Sequence, residues 1–77
     1  MRYFAAAADA AGCTEETLDL PPTADLALVK STLIARYGPD MARVLTVAAF
    51  LVESELTRDL TRTAGAQVDI LPPFAGG

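Results

Sequence analysis

The 77 residues of this chain, 52% hydrophobic and 21% charged, suit one small folded domain and exclude a disordered polypeptide. A net charge of −4, with six Lys and Arg scattered along the chain, argues against a nucleic-acid binder and favours a basic-faced or cationic partner. One cysteine, Cys13, and no histidine leave no internal disulfide and no Cys-His chemistry, so no bound metal or cofactor is expected.

Residues 1–7 alternate weakly, Arg2, Phe4 and Ala6 against Tyr3, Ala5 and Ala7, which predicts a first strand, with 9–12 as a loop. The apolar run here is too short to span a bilayer and is broken by Asp9; with no targeting segment, a cytoplasmic protein without membrane contact is expected. Residues 14–20 alternate more clearly, Thr17 and Asp19 opposing Glu16, Leu18 and Leu20, and Pro21-Pro22 ends what reads as the second strand of a hairpin. Thr23 is the candidate N-cap of a helix, with Asp25 complementing its positive end. Leu26, Val29, Leu33 and Tyr37 then form an apolar stripe, widened by Ile34, which Gly38-Pro39 stops. Residues 40–46 have room for one more helical turn, since Met41, Val44 and Leu45 have helical spacing.

Val47 to Val52 is an apolar run of strand length, followed by a tight turn at 53–55 and a short strand at 56–58. A turn at 64–66 precedes the last strand, 67–71, in which Val68 and Ile70 share one face and Asp69 and Leu71 the other. The order β-β-α-β-β-β, with one main helix packed on a mixed sheet, predicts an α+β domain of the β-grasp type over 1–71. Residues 72–77 are expected to form an extended C-terminal tail with a flexible Gly-Gly end.

That tail reads Pro72-Pro73-Phe74-Ala75-Gly76-Gly77. At background usage of about 7% Gly and 5% Pro, a Pro-Pro stem with a Gly-Gly end arises at a given terminus roughly once in 10⁵ chains. Glycine lacks a Cβ, so such an end can thread a narrow slot and bring its last carbonyl to another protein's catalytic groups. The carboxylate of Gly77 is therefore the candidate reacting group, with Phe74, Ala75 and Gly76 as the segment that threads a partner's active site.

Three pieces of the chain carry a family resemblance: the opening Tyr3-Phe4-Ala5 with Gly12 closing its loop, the helix running into Arg36-Tyr37-Gly38, and Val68-Asp69-Ile70-Leu71-Pro72-Pro73-Phe74-Ala75-Gly76-Gly77. Over essentially its full length the chain resembles the ubiquitin-like sulfur carriers, specifically the molybdopterin synthase small-subunit family. It departs from the family at Glu53, where Asn or Asp is common, and at Gly65-Ala66, where Gly-Asp is common.

The resemblance implies a non-catalytic small subunit whose catalytic residues lie on its partners. An E1-like adenylyltransferase uses ATP to convert the Gly77 carboxylate into a mixed anhydride with AMP, and sulfur then replaces AMP. The large subunit of molybdopterin synthase, in a heterotetramer, accepts the tail, and two sulfur deliveries turn cyclic pyranopterin monophosphate into the dithiolene of molybdopterin. The alternatives are a carrier for cysteine or thiamine-thiazole synthesis and a ubiquitin-like protein modifier.

A docking face is expected beside the tail. If the helix covers one side of the sheet, the other side carries Phe4, Leu56 and Leu71, positions whose family counterparts contribute to the partner interface. Ordinary core burial is the competing expectation for each. Cys13 reads as a small loop or buried residue, and Glu15-Glu16 and Glu53/Glu55 as solvated charges.

Overall fold

The computed structural model describes residues 1–21 and 23–73. Pro22, Phe74, Ala75, Gly76 and Gly77 lie outside the described residues. The elements in chain order are β1 (Arg2–Tyr3), α1 (Ala6–Ala11), α2 (Leu26–Tyr37), α3 (Pro39–Val47), β2 (Ala49–Val52), β3 (Glu55–Thr57) and β4 (Val68–Leu71). They make a small α+β domain with a four-stranded mixed sheet in the order β1-β4-β2-β3 and one main helix, α2. β1 runs parallel to β4, and β2 is antiparallel to both β4 and β3.

The first expected strand is cut short. Only Arg2 and Tyr3 pair, and Ala6–Ala11 is helical instead of strand and loop. Five of those six residues are alanine, the strongest helix former and a poor strand former, and alternation among alanines carries no amphipathic signal. Gly12, at φ 74°, closes α1 in the left-handed conformation with its N–H on the Ala8 carbonyl.

The second expected strand is reduced to one bridge, Arg2 to Glu15. Tyr3 N donates to Thr14 O at 2.9 Å and Glu16 N to Met1 O at 3.0 Å, and there the ladder stops because β1 offers only two residues. The alternation still governs burial: Leu18 and Leu20 pack against the core while Thr17 and Asp19 are exposed.

Helix α2 follows the expected stripe, with Leu26, Val29 and Leu33 buried. Its N-cap is Asp25 and not Thr23; the Asp25 side chain accepts from Leu28 N at 2.9 Å. The loop at 60–64 satisfies two more free first-turn donors, Leu26 N on Arg62 O and Ala27 N on Leu60 O, both at 2.9 Å. Gly38, at φ 83°, ends α2 and begins α3, where Pro39 takes the first turn. α3 is a full helix of nine residues that buries Met41 and Leu45 and displaces the start of the central strand to Ala49.

The β2–β3 hairpin turns on Glu53 and Ser54, between the paired Val52 and Glu55. Both sit at positive φ, 51° and 66°, the geometry that matches strand twist and that Asn-Gly adopts with least strain. All helices pack on one side of the sheet, where Phe50, Leu26, Leu33, Met41, Ile70, Val29 and Val52 are fully buried.

Two substitutions test this account of the fold. Phe50→Ala removes the largest fully buried side chain and is expected to cost about 3–5 kcal/mol in urea denaturation; a loss under 1 kcal/mol would mean Phe50 is not central. Glu53→Asn with Ser54→Gly is expected to raise stability by about 1–2 kcal/mol, since each non-glycine residue in the left-handed region costs roughly 1 kcal/mol.

Candidate partner-docking face

Strand register assigns the two faces. Tyr3, Ile70, Phe50 and Thr57 are cross-strand neighbours in one row on the helix side, and Val68 and Val52 lie on the same side two residues away. The row between them runs Arg2, Asp69, Leu51, Leu56 and faces the other way. Two residues further along, Leu71 pairs with Ala49 on that same outer face. Phe4, one residue past β1, continues the parallel pairing through its N–H on Ile70 O at 3.3 Å and shares the parity of Arg2.

The outer face thus brings together Phe4, Leu56 and Leu71, and none of them belongs to the core cluster. Phe4 is 36% and Leu56 61% exposed, and Leu71 is half-buried. Leu51, half-buried between Asp69 and Leu56, joins them; it went unassigned in the sequence because the apolar run 47–52 hides its own alternation. β4 leaves this face through Pro72, which is buried, and Pro73, which is exposed. The candidate tail residues Phe74, Ala75, Gly76 and Gly77 follow, outside the described residues.

One charged pair interrupts the apolar surface. Arg2 Nε donates to Asp69 Oδ1 at 2.9 Å and Arg2 Nη2 to Oδ2 at 2.6 Å, a two-point clamp between neighbouring parallel strands. The hydrogen bonds from Arg2 hold the Asp69 carboxyl below its usual range, against burial acting the other way, and Gln67 adds a weaker donor. The pair was not read from the sequence; the available signal was opposite charge on same-face positions of the first and last strands.

A second polar cluster lies on the helix side. Glu16 is no solvated charge: its Oε1 accepts from the hydroxyls of Tyr3 and Tyr37, each at 2.5 Å, and its Oε2 lies 3.5 Å from Arg36 Nη2. The rings of Tyr3 and Tyr37 meet edge to face at 6.5 Å, so two hydroxyls at the core boundary converge on one acceptor. Burial pushes the Glu16 carboxyl up, but the two hydroxyls and Arg36 outweigh it and hold the group below its ordinary value. Burial, then the bond to Glu16, pushes the Tyr37 hydroxyl up to about 12.

The remaining polar candidates carry no assembled chemistry. Glu15 and Glu53 are exposed, Glu55 pairs with Arg62 at 2.5 Å, and Cys13 is half-buried. Among the described residues no group of three His, Cys, Asp or Glu is arranged to hold a metal ion, and no helix is long and apolar enough to cross a membrane. A scan against models of known protein families gave no match to this chain, and a search of curated proteins gave none either.

The depressed carboxyls fix a sign for acid stability. Unfolded carboxyls bind protons near pH 4 while Glu16 and Asp69 in the folded state resist, so their contribution is complete at neutral pH and disappears as pH falls below about 4. Glu16→Gln should therefore be less stable than the wild type at pH 7 by a margin that narrows in acid, read from urea midpoints across pH. A margin independent of pH would contradict the assignment.

Proposed function

We propose that this domain is a ubiquitin-like sulfur carrier of the molybdopterin synthase small-subunit type, with its outer sheet face as the docking surface and Gly77 as the reacting residue. The observation that carries the proposal is the adjacency of an exposed apolar face to the strand that leads into the tail. Phe4, Leu51, Leu56 and Leu71 stand on one side of the sheet, and β4, which bears Leu71, continues directly into Pro72-Pro73 and the Gly-Gly end. Exposed apolar clusters of this kind are typical of interface cores. The parallel neighbourhood of the first and last strands, with the main helix packed on one side, supports a β-grasp topology.

The chemistry then belongs to the tail. A carboxylate is a poor acyl donor because oxide would have to leave. Transfer of AMP from ATP to the Gly77 carboxylate, catalysed by an E1-like partner with pyrophosphate leaving, supplies a good leaving group. The terminal sulfur of a persulfide displaces AMP to give an acyl disulfide, and a thiol reductant cleaves its S–S bond to release the thiocarboxylate. That group is a strong acid, so it is anionic and nucleophilic near neutral pH. In the large synthase subunit its sulfur attacks the cyclic pterin precursor, and water cleaves the resulting acyl–sulfur bond to return Gly77 as a carboxylate and leave the sulfur on the pterin. A second carrier delivers the second sulfur of the dithiolene. The stiff Pro-Pro stem spaces the glycines from the domain, and glycine's missing Cβ lets the reacting carbonyl enter a narrow site.

The test is an incubation of the protein with ATP, an E1-like adenylyltransferase, a persulfide donor and a thiol reductant, followed by intact mass. An oxygen-to-sulfur mass increase at the C-terminal glycine is expected; an unchanged mass would sink the carrier proposal, and a lysine-linked conjugate would make the chain a modifier. Adding the large synthase subunit and the cyclic precursor then separates molybdopterin formation from cysteine or thiazole chemistry. Deletion of Gly77 should abolish sulfur transfer with the melting temperature unchanged.

A further inference from the structure

The Arg2–Asp69 pair interrupts the apolar surface of the outer face, and its two members are in opposite conditions. The Asp69 side chain is 6% exposed and already satisfied by Arg2 Nε and Nη2, with Gln67 Nε2 at 3.4 Å. A guanidinium carries five N–H donors in one plane. Arg2 gives one from Nε and one from Nη2 to Asp69, and among the described residues no hydrogen bond uses the rest of Nη2 or either donor of Nη1. Its side chain is 50% exposed and its Cζ lies 5.8 Å from the centroid of the Phe4 ring. The unspent donors therefore belong to a half-exposed guanidinium beside the Phe4 ring, on the edge strand of the face that a docked partner would cover.

Water can satisfy those donors in the free protein. A partner closing over Phe4, Leu51, Leu56 and Leu71 strips that water away, and a charged donor left without an acceptor is more costly than a neutral one. Local charge decides which acceptor fits. Asp69 already neutralises Arg2, Glu15 stands across the bridge from Arg2, and the whole chain carries −4. A third carboxylate would enter a site that is negative without it, whereas a main-chain carbonyl or a carboxamide oxygen fills the donors and adds no charge.

Resting on the docking role proposed above, we infer that Arg2 sets the partner's chemistry at the outer face: the partner presents neutral acceptor oxygens to the free Nη1 and Nη2 donors, surrounded by apolar side chains that meet Phe4, Leu51, Leu56 and Leu71. Arg2 acts as a specificity residue. It rejects surfaces that are apolar throughout.

The experiment is a calorimetric titration of the full chain with the large synthase subunit. The double substitution Arg2→Met with Asp69→Val replaces the pair by apolar side chains of similar bulk, a change that folded domains tolerate. Its melting temperature should stay close to the wild type while binding weakens by about tenfold or more, the factor expected for stranding the partner's acceptors. That factor should be the same at low and at high salt. Hydrophobic docking alone predicts equal or tighter binding by a face made wholly apolar, and that result would overturn the inference. A loss that vanishes at high salt would mean a charged partner group and would overturn it too. Arg2→Lys keeps Asp69 compensated, guards against misfolding of the double variant, and should weaken binding in the same direction; unchanged affinity would count against the inference. Wild-type protein that fails to bind the large subunit overturns the docking role itself, and this inference with it.

Discussion

A four-stranded sheet with every helix packed on one side must leave its other side to be covered by something else or by water. In this domain that constraint organises everything. α1, α2 and α3 gather on the face that holds Tyr3, Phe50, Val52, Val68 and Ile70, and among the described residues no further helix or strand lies over Leu51, Leu56 and Leu71. Strand periodicity then makes the exposed row compulsory, because residues alternating with a buried Phe50 and Ile70 have to point outward.

The parallel contact of β1 with β4 is what joins that face to the tail. It is short, Arg2 to Asp69 and Tyr3 to Ile70, and each residue of β1 is fixed by a side-chain interaction as well as by the backbone. Arg2 clamps Asp69 on the outside, and the Tyr3 hydroxyl meets Glu16 on the inside. Glu16 in turn draws in Tyr37 from the end of α2, so one carboxylate ties the N-terminal strand, the 13–20 segment and the main helix together. These two anchors hold Phe4 beside Leu71 at the point where β4 passes into Pro72.

Much of this was legible in the residues, and the failures have definite causes. The stripe Leu26, Val29, Leu33 specified α2, and the alternation of Val68 and Ile70 with Asp69 and Leu71 specified both faces of β4. Phe4, Leu56 and Leu71 were correctly assigned to one face because parity survives small errors in strand ends. Ala5 to Ala8 misled because alanine fits either side of a strand while favouring a helix, and Leu18 and Leu20 alternated without a strand opposite them to pair with. Glu16 was unreadable for a different reason: its partners Tyr3 and Tyr37 are 13 and 21 residues away, and only the fold brings their hydroxyls to one point. The role proposed for Gly77 rests on the tail sequence and on the resemblance, since Phe74 to Gly77 lie outside the described residues.

The central claim is that one sheet face docks and the tail reacts, so the most direct measurement is a methyl and amide NMR titration of the labelled chain with the large synthase subunit. The account predicts shifts at Phe4, Leu51, Leu56 and Leu71 and along the tail to Gly77, with Leu33 and Leu45 in the core unmoved. Shifts confined to the exposed side of α2, or none at all at saturating subunit, would contradict it.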